Sequence, residues 1–426
     1  MNVLFFSRSA MNEASSFGNT VMNLFADWRE DNLYHFFIRK QTPRNDIIKA
    51  YYNTSSRDTV KALLKGKTSG RCFTSAELDL VQESWAKEES AERSIIESTR
   101  GKNKNLVYIL EESFWGTGLW KNRSFRRFVR EADPDVFFAF ATNSYILYPL
   151  IRYMKRYTRA KIVLLIADDM LTAYQNRGPL RRRSLTAKLK WCITTADRLY
   201  GISEMMCRRY SALFGKPVEF LCKGCDYSLP IRESRNYPLK LVYAGNVLYG
   251  RETTLEQTVL ALKELNREQK RGELEIYTST KLPFETLKRL NVPGVSRVLP
   301  AIEYEELLRV ENEADILLHV ESFDPEIARK VQYSFSTKIT DCLQSGSAIA
   351  AIGPAGIASM EYLERIHGVA VITEPMDIQK SLEMLLSDLN ELNKRKREIR
   401  VCSEARLARA EMKRKLRNDL ETMICR

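Results

Sequence analysis

The sequence predicts an α/β chain of two doubly wound parallel sheets, and three observations lead there. Short apolar segments alternate with helical or polar stretches along most of the chain, which is the pattern of parallel strands covered by helices on both faces. At 426 residues the chain exceeds what one hydrophobic core usually supports, so two domains are the natural reading. A polar, turn-rich stretch from Asp226 to Lys240, containing Pro230, Asn236 and Pro238, splits the alternation into two series and reads as a linker.

In the first series the short apolar runs Val3–Phe6, Leu106–Leu110, Val136–Ala139, Lys161–Ile166, Arg198–Ile202 and Val218–Leu221 read as strands. In the second, strands are expected at Leu239–Ala244, Glu273–Tyr277, Ile316–Val320, Ala348–Ile352 and Val369–Ile372. From Glu404 onward Ala408, Met412, Leu416, Leu420 and Met423 recur at helical spacing, so the tail should be a helix with one packed stripe. The expected boundaries are 1–228 for the first domain, 239–395 for the second and 396–426 for the helical tail.

Two stretches of the second domain carry anion chemistry. The run from Tyr333 to Gly346 reads as a loop, then a short helix closed by glycine, with Ser336, Thr337 and Lys338 at its entry. Unpaired N–H groups and the positive dipole end of the helix point the same way as the lysine ammonium, so a phosphate fits there. Taken alone, the same residues also fit a helix cap beside a solvated lysine. A matching arrangement follows strand Leu239–Ala244: Gly245 and Asn246, then Gly250 and Arg251, with Thr253 and Glu256 read as the capping box of a helix whose apolar face is Leu255, Val259 and Leu262. Two strand–loop–cation–helix units in one domain favour the anion site.

With these residues in place the chain resembles the GT-B glycosyltransferases, specifically the large retaining family four. The resemblance runs through Val242 to Leu262, Ala314–Leu318, Glu321, Ser336-Thr337-Lys338 and Asp341 to Gly346. In the first half it is carried by Ser15-Ser16-Phe17-Gly18-Asn19, Pro134-Asp135-Val136, Ala196 to Glu204, Phe214 to Pro217 and Lys223-Gly224-Cys225-Asp226. It is thin between Arg39 and Asn105. The resemblance implies two Rossmann-like doubly wound domains facing each other across a cleft, the N-terminal one binding the acceptor and the C-terminal one the nucleotide sugar. The terminal helix would brace the N-terminal domain. Donor binding falls to Gly245, Asn246, Arg251, Ser336, Thr337, Lys338 and Asp341, and acceptor binding to Gly18 and Asn19. Asp168, Asp169 and Glu321 are the catalytic candidates. The chain departs from the family at Asn246, where an arginine is usual, at Asp341, where a glutamate is usual, and at Asp168-Asp169, where a His-Asp pair is frequent.

Composition narrows the partners. The eight cysteines are scattered, which suits a reducing compartment; Cys222-Lys223-Gly224-Cys225 has no second pair to complete a zinc site. Asp133-Pro134-Asp135 has the letters of an Asp-x-Asp metal motif but runs straight into an apolar strand. Gly116-Thr117-Gly118 is an incomplete phosphate fingerprint. His319, on an apolar strand, reads as a packed and hydrogen-bonded residue. No cofactor and no metal are expected, the cations being supplied by the protein. The formal charge of +13 is concentrated in Arg177, Arg181–Arg183, Lys188 and Lys190 and in Lys394–Arg397. Without a nucleic-acid-binding motif beside it, this charge does not indicate nucleic acid. Leu185, Leu189 and Trp191 among the first cluster fit either a helix lying on an anionic membrane surface or an ordinary helix packed on a core.

Neither a signal peptide nor a spanning apolar run is visible, so a cytoplasmic protein, peripheral at the inner face of the cell membrane, is expected. The resemblance implies sugar transfer from a nucleotide-diphosphate sugar to a glycan or lipid-diphosphate-linked acceptor in cell-surface polysaccharide synthesis, with retention of configuration. A nucleotide-sugar epimerase of the same architecture and a catalytically silent membrane adaptor are the alternatives.

Overall fold

The computed structural model describes residues 1–12, 16–55, 69–82, 85, 104–175 and 177–425, with the backbone alone at 16, 17 and 104–110. Ser15 and residues 56–68 and 86–103 lie outside that description. The chain divides into two compact units, Met1–Cys222 with Lys413–Arg426, and Lys223–Met412.

The first unit is built on an eight-stranded sheet. Its strands are β1 Asn2–Ser7, β2 Asn32–Phe37, β3 Ala50–Asn53, β4 Arg71–Thr74, β5 Val136–Phe140, β6 Lys161–Ile166, β7 Arg198–Gly201 and β8 Glu219–Phe220. Their order is β4-β3-β2-β1-β5-β6-β7-β8, parallel throughout except where β4 runs antiparallel to β3. Every residue of β5, and all but the first of β1, β2 and β6, is buried, as continuous apolar strands covered on both faces should be. Aromatic side chains fill much of this core: Phe5 meets Phe25 edge-on at 4.7 Å and Phe138 at 5.8 Å. The tail is not one helix from Glu404: Ala408 leaves helical backbone and separates Leu389–Leu407 from Arg409–Ile424, and it is the second helix that presents Leu416 and Leu420, both fully buried, at the expected spacing. Within the unit Asp419 accepts the Tyr200 hydroxyl at 2.8 Å, and Arg417 pairs with Asp31 at 3.0 Å.

One expected strand is a helix. Leu106–Leu110 lies inside Lys104–Thr117, because the segment continues without proline or glycine through Glu111, Glu112, Phe114 and Trp115, long enough for about four helical turns. A five-residue apolar run does not by itself distinguish the two conformations; length does. The two glutamates fasten this helix to its neighbours: Glu111 accepts the Tyr145 hydroxyl at 2.5 Å, and Glu112 pairs with Arg181 at 3.0 Å and Lys188 at 3.3 Å.

The second unit carries six parallel strands: β9 Leu239–Ala244, β10 Gly272–Thr278, β11 Ser296–Pro300, β12 Ile316–Val320, β13 Ala348–Ile352 and β14 Ala370–Ile372. They are ordered β11-β10-β9-β12-β13-β14. Its core joins one face of β9, β10, β12 and β13, through the alternate residues Leu239, Leu241, Ile276, Ile316, Leu318 and Ala350, to Leu255, Val259 and Leu262 of the helix Arg251–Leu265. The stretch read as a linker is fastened to this unit. Arg400 donates to the Tyr227 and Leu229 carbonyls at 3.1 and 2.8 Å, and Lys396 to the Arg232 carbonyl at 2.9 Å. Lys396 is only 1 % exposed, so the basic run Lys394–Arg397 is not a uniformly solvated face.

In each sheet the chain leaves a central strand in opposite directions, at β1/β5 in the first unit and β9/β12 in the second. At such switch points the loops after the strands diverge and leave a crevice at the carboxyl ends, where open α/β sheets take ligands. Because Phe5 sits at the first of these with no exposure, Phe5→Ala should cost about 3 to 5 kcal/mol of stability. Equilibrium urea unfolding, with an unchanged slope and a lowered midpoint, checks it.

Candidate functional site

The β9/β12 switch point brings together residues far apart in sequence. After β9 the chain passes Gly245 and Asn246 and reaches Gly250, whose φ of 75° lets it turn sharply into the helix that begins at Arg251. That start corrects the expected capping box. The helix opens two residues before Thr253, Gly250 occupies the cap position, and Glu256 pairs instead with Arg289 at 2.8 Å. Arg251 is thereby set at the very N-terminus of a fifteen-residue helix, where backbone N–H groups and dipole reinforce its charge.

The Arg251 guanidinium is fixed by three bonds. Nε donates to the Val320 carbonyl at 3.1 Å, Nη1 to Asn246 Oδ1 at 2.7 Å and Nη2 to Glu321 Oε2 at 2.8 Å. Asn246, which departs from the usual arginine, acts here as an acceptor that orients the cation. A guanidinium has five N–H donors, so these three bonds leave donors for a ligand. Glu321 is buried, and burial raises its carboxyl pKa while Arg251, then Lys338, pull it back. Thr254 donates to the Glu321 carbonyl at 3.0 Å, tying the loop after β12 to the helix after β9.

The second cation enters from the helix Thr337–Ser345. Its C-terminal turn closes at Gly346, φ 84°, and β13 follows as a fully buried strand, as the sequence reads. Ser336 stands at the cap with extended backbone and its side chain caps nothing, while Thr337 is the first helical residue. Lys338 Nζ donates to the Ala244 carbonyl at 2.5 Å and lies 5.7 Å from the centre of the Tyr243 ring. Burial lowers its pKa, and Arg251 adds to that effect. A Cβ at Gly245 would run into this ammonium, so glycine is what lets the lysine approach. Asn246, Arg251, Glu321, Ser336 and Lys338 line one recess.

Asp341 lies one turn along the same helix. Its Oδ1 accepts Lys223 Nζ at 2.5 Å and the Tyr304 hydroxyl at 3.0 Å. Lys223 is buried; burial disfavours its charge, but Asp341 and Tyr304 more than offset this and its pKa ends above the ordinary value. Sequence reading missed Lys223 as a site residue because it lies 118 positions from Asp341.

Two more residues of the recess were not foreseen. Glu311 is 4 % exposed, lines the recess and has no hydrogen-bond partner at Oε2; burial, then the Asp341 charge, push its carboxyl up to about 8. Its signal was available, since Glu311 follows Leu307 by one helical turn on the packed side of Tyr304–Glu313. His319 is buried as expected, but its Nε2 has no hydrogen-bond partner and stands 3.7 Å from Glu321 Oε1. Burial, with Arg251 and Lys338 adding to it, lowers its pKa to about 3, so the imidazole is neutral.

The remaining candidates lie in the first unit, at the carboxyl ends of β1 and β6. Gly18 and Asn19 fall in the first turn of the helix Ser16–Phe25, and a Cβ at Gly18 would strike the Asn12 backbone. Asp169 is engaged within the unit: it accepts Tyr210 OH at 2.9 Å, Thr172 Oγ1 at 2.6 Å and the Leu171 N–H at 3.2 Å, and pairs with Arg209 at 3.5 Å. Asp168 is exposed, yet the protein around it desolvates the carboxyl and raises its pKa. Among the described residues no three His, Cys, Asp or Glu side chains are grouped as a metal site, and all eight cysteines are free.

Two doubly wound units of this topology define the GT-B class of fold. No protein-family model matches the sequence, and no curated protein does. Solved structures do. HepE from Anabaena, in complex with UDP, matches with a TM-score of 0.61 at 11 % identity over 99 % of this chain and 100 % of its own. Sucrose-phosphate synthase from Thermosynechococcus elongatus matches at 0.63 and 8 % identity over 99 % of both chains. An α,α-trehalose-phosphate synthase from Burkholderia xenovorans, in complex with glucose-6-phosphate, matches at 0.62 and 10 % identity over 99 % and 100 %. Likenesses at such low identity establish the fold.

The buried Glu311 carboxyl, with Oε2 unbonded, has a measurable consequence. With a folded pKa near 8 against about 4.3 in an unfolded chain, the folded state binds more protons between those values. Its contribution to stability is therefore lost as pH rises through that window. Glu311→Gln, which mimics the protonated acid, should raise the melting temperature relative to wild type more at pH 9 than at pH 5. Melting curves at the two pH values check it.

Proposed function

We propose that the protein is a glycosyltransferase that moves a sugar from a nucleotide-diphosphate sugar to a glycan or lipid-linked acceptor in cell-surface polysaccharide synthesis, with retention of anomeric configuration. The observation that carries this reading is the convergence of Arg251 and Lys338, each at the entry of a helix, on one recess at the β9/β12 switch point. The HepE structure is a complex with UDP and the trehalose-phosphate synthase structure a complex with glucose-6-phosphate, which supports a nucleotide sugar as donor and makes UDP-sugars the first to try.

Sugar transfer breaks the bond between the anomeric carbon and the diphosphate oxygen while positive charge builds on the carbon. Lys338, the remaining donors of Arg251 and the two helix N-termini would stabilise the departing diphosphate without a metal. Glu321, held by Arg251, would contact the sugar, and Asp341, held by Lys223 and Tyr304, would accept the ribose hydroxyls. Attack on the face the leaving group departs from gives retention, the acceptor proton passing to the departing phosphate oxygen. Asp169 is already occupied within its own unit, so Asp168 is assigned to positioning the acceptor hydroxyl.

Peripheral contact with an anionic membrane belongs to the same proposal, resting now on charge alone. In the helix Pro179–Thr195, Leu185 and Leu189 are core residues and Arg181 is paired with Glu112, while Arg182, Arg183 and Lys190 are exposed. Each such cation is worth about 1 kcal/mol near an anionic surface. Among the described residues no helix is long and apolar enough to cross a membrane.

A panel of nucleotide-diphosphate sugars, assayed for hydrolysis and transfer with and without EDTA, tests the reading. One donor should be turned over in the presence of chelator, and Arg251→Ala or Lys338→Ala should each lose about 2 to 4 kcal/mol of transition-state stabilisation. Turnover of none, near-wild-type rates in both variants, or an absolute requirement for added magnesium or manganese would contradict it.

A further inference from the structure

A second recess lies on the helical face of the first unit. It opens beside the helix Ser144–Tyr157, near the segment that closes Lys104–Thr117, and encloses about 290 Å³. Tyr148, Tyr153 and Tyr157 line it together with Lys121, Arg152 and Arg156. The helix begins shortly after the carboxyl end of β5 and runs back along the sheet. Arg152 to Tyr157, its last residues, therefore lie toward the opposite end of the sheet from Gly18 and Asp168, which follow the carboxyl ends of β1 and β6.

The charge pattern here differs from that of the surrounding surface. Glu112, on the rim, neutralises Arg181 and Lys188. Among the described residues no carboxylate pairs with Lys121, Arg152 or Arg156. Lys121 is crowded instead: burial lowers its pKa, and the charges of Arg152 and Arg126 lower it further. Each cation is held over an aromatic face, Lys121 at 5.2 Å from the Trp120 ring centre, Arg152 at 5.5 Å from Tyr148 and Arg156 at 5.7 Å from Tyr157. Rings in such contact fix the cations at modest cost, but like charges brought together without a counter-ion repel, and an anion relieves that repulsion.

We propose that this recess binds an acidic carbohydrate, a sugar segment bearing phosphate or carboxylate. The anionic group would meet Lys121, Arg152 and Arg156, and the sugar face would rest on the tyrosine rings. Guanidinium groups take carboxylate and phosphate with two parallel hydrogen bonds, and aromatic faces pack the apolar side of a pyranose. A concave wall suits a chain of sugar rings better than a flat lipid surface, which favours a glycan over a membrane. The proposal stands apart from the donor site: it concerns a different unit, and sugar binding here can be measured without turnover.

Tryptophan fluorescence, with Trp120 under Lys121 and Trp191 packed 4.9 Å from Tyr148, reads the site directly. The full chain is titrated with oligogalacturonate and with a phosphorylated maltooligosaccharide; maltoheptaose serves as neutral control and phosphatidylglycerol vesicles as the lipid arm. At least one acidic sugar should bind saturably, maltoheptaose should not, and Arg152→Ala/Arg156→Ala should weaken binding tenfold or more. Both arginines are exposed on the helix, so an unchanged melting curve is expected of that variant. Arg182→Ala/Arg183→Ala, which removes the same charge elsewhere on the unit, should bind as wild type. The proposal is overturned if neither acidic sugar binds, if the two double variants weaken binding equally, or if only the vesicles respond to Arg152→Ala/Arg156→Ala.

Discussion

The ion pair between Arg251 and Glu321 is the constraint on which the second unit's site depends. Both side chains are largely removed from water, at 15 % and 6 % exposure. A buried charge without a partner is costly, and removing one member of such a pair typically destabilises by about 3 to 5 kcal/mol. The pair therefore couples the loop after β9 to the loop after β12, and the Thr254 bond to the Glu321 carbonyl repeats that coupling through the backbone. With the two loops fixed, the crevice at the switch point keeps one shape. Lys338 can enter it because Gly245 leaves room. The same network explains the neutral His319: two cations nearby and complete burial both work against a third positive charge.

Around that network the unit holds its other charges in reserve rather than in balance. Asp341 is shared by Lys223 and Tyr304, whereas Glu311 is left as a buried acid facing the same recess. A ligand bearing negative charge would strengthen the demand for protonated Glu311, and a ligand hydroxyl would give it a partner. Chemistry at the switch point and the ionisation of a helix residue behind it are in this way parts of one electrostatic problem.

Much of the second unit was legible because its central strands are short, mainly apolar runs between polar or glycine-bearing stretches; β9, β12 and β13 fall where those runs put them. The helix at Arg251 was mis-started because Thr253 and Glu256 satisfy a capping pattern that a left-handed Gly250 pre-empts. Leu106–Leu110 was misread for want of length, and β2 to β4 and β11 were not foreseen, β4 and β11 being short edge strands with mostly solvent-facing patterns. The cations of the site could be found from local strand–loop–helix pairs. Their partners could not, since Arg251 meets Glu321 only through the adjacency of β9 and β12, and Lys223 meets Asp341 across 118 positions of chain. In the first unit Asp168 and Asp169 are neighbours in sequence with opposite surroundings, one exposed and one engaged by four partners, a distinction no pattern of letters contains.

The central claim is that Arg251 and Lys338 hold a diphosphate, and calorimetric titration tests it without any knowledge of the sugar or the acceptor. UDP, GDP and ADP would each be compared with the corresponding monophosphate, on wild type and on Lys338→Ala. The account predicts that at least one diphosphate binds tenfold or more tightly than its monophosphate, and that Lys338→Ala abolishes most of that difference. Equal binding of diphosphate and monophosphate for every base, no binding at all, or a preference that survives Lys338→Ala would contradict it.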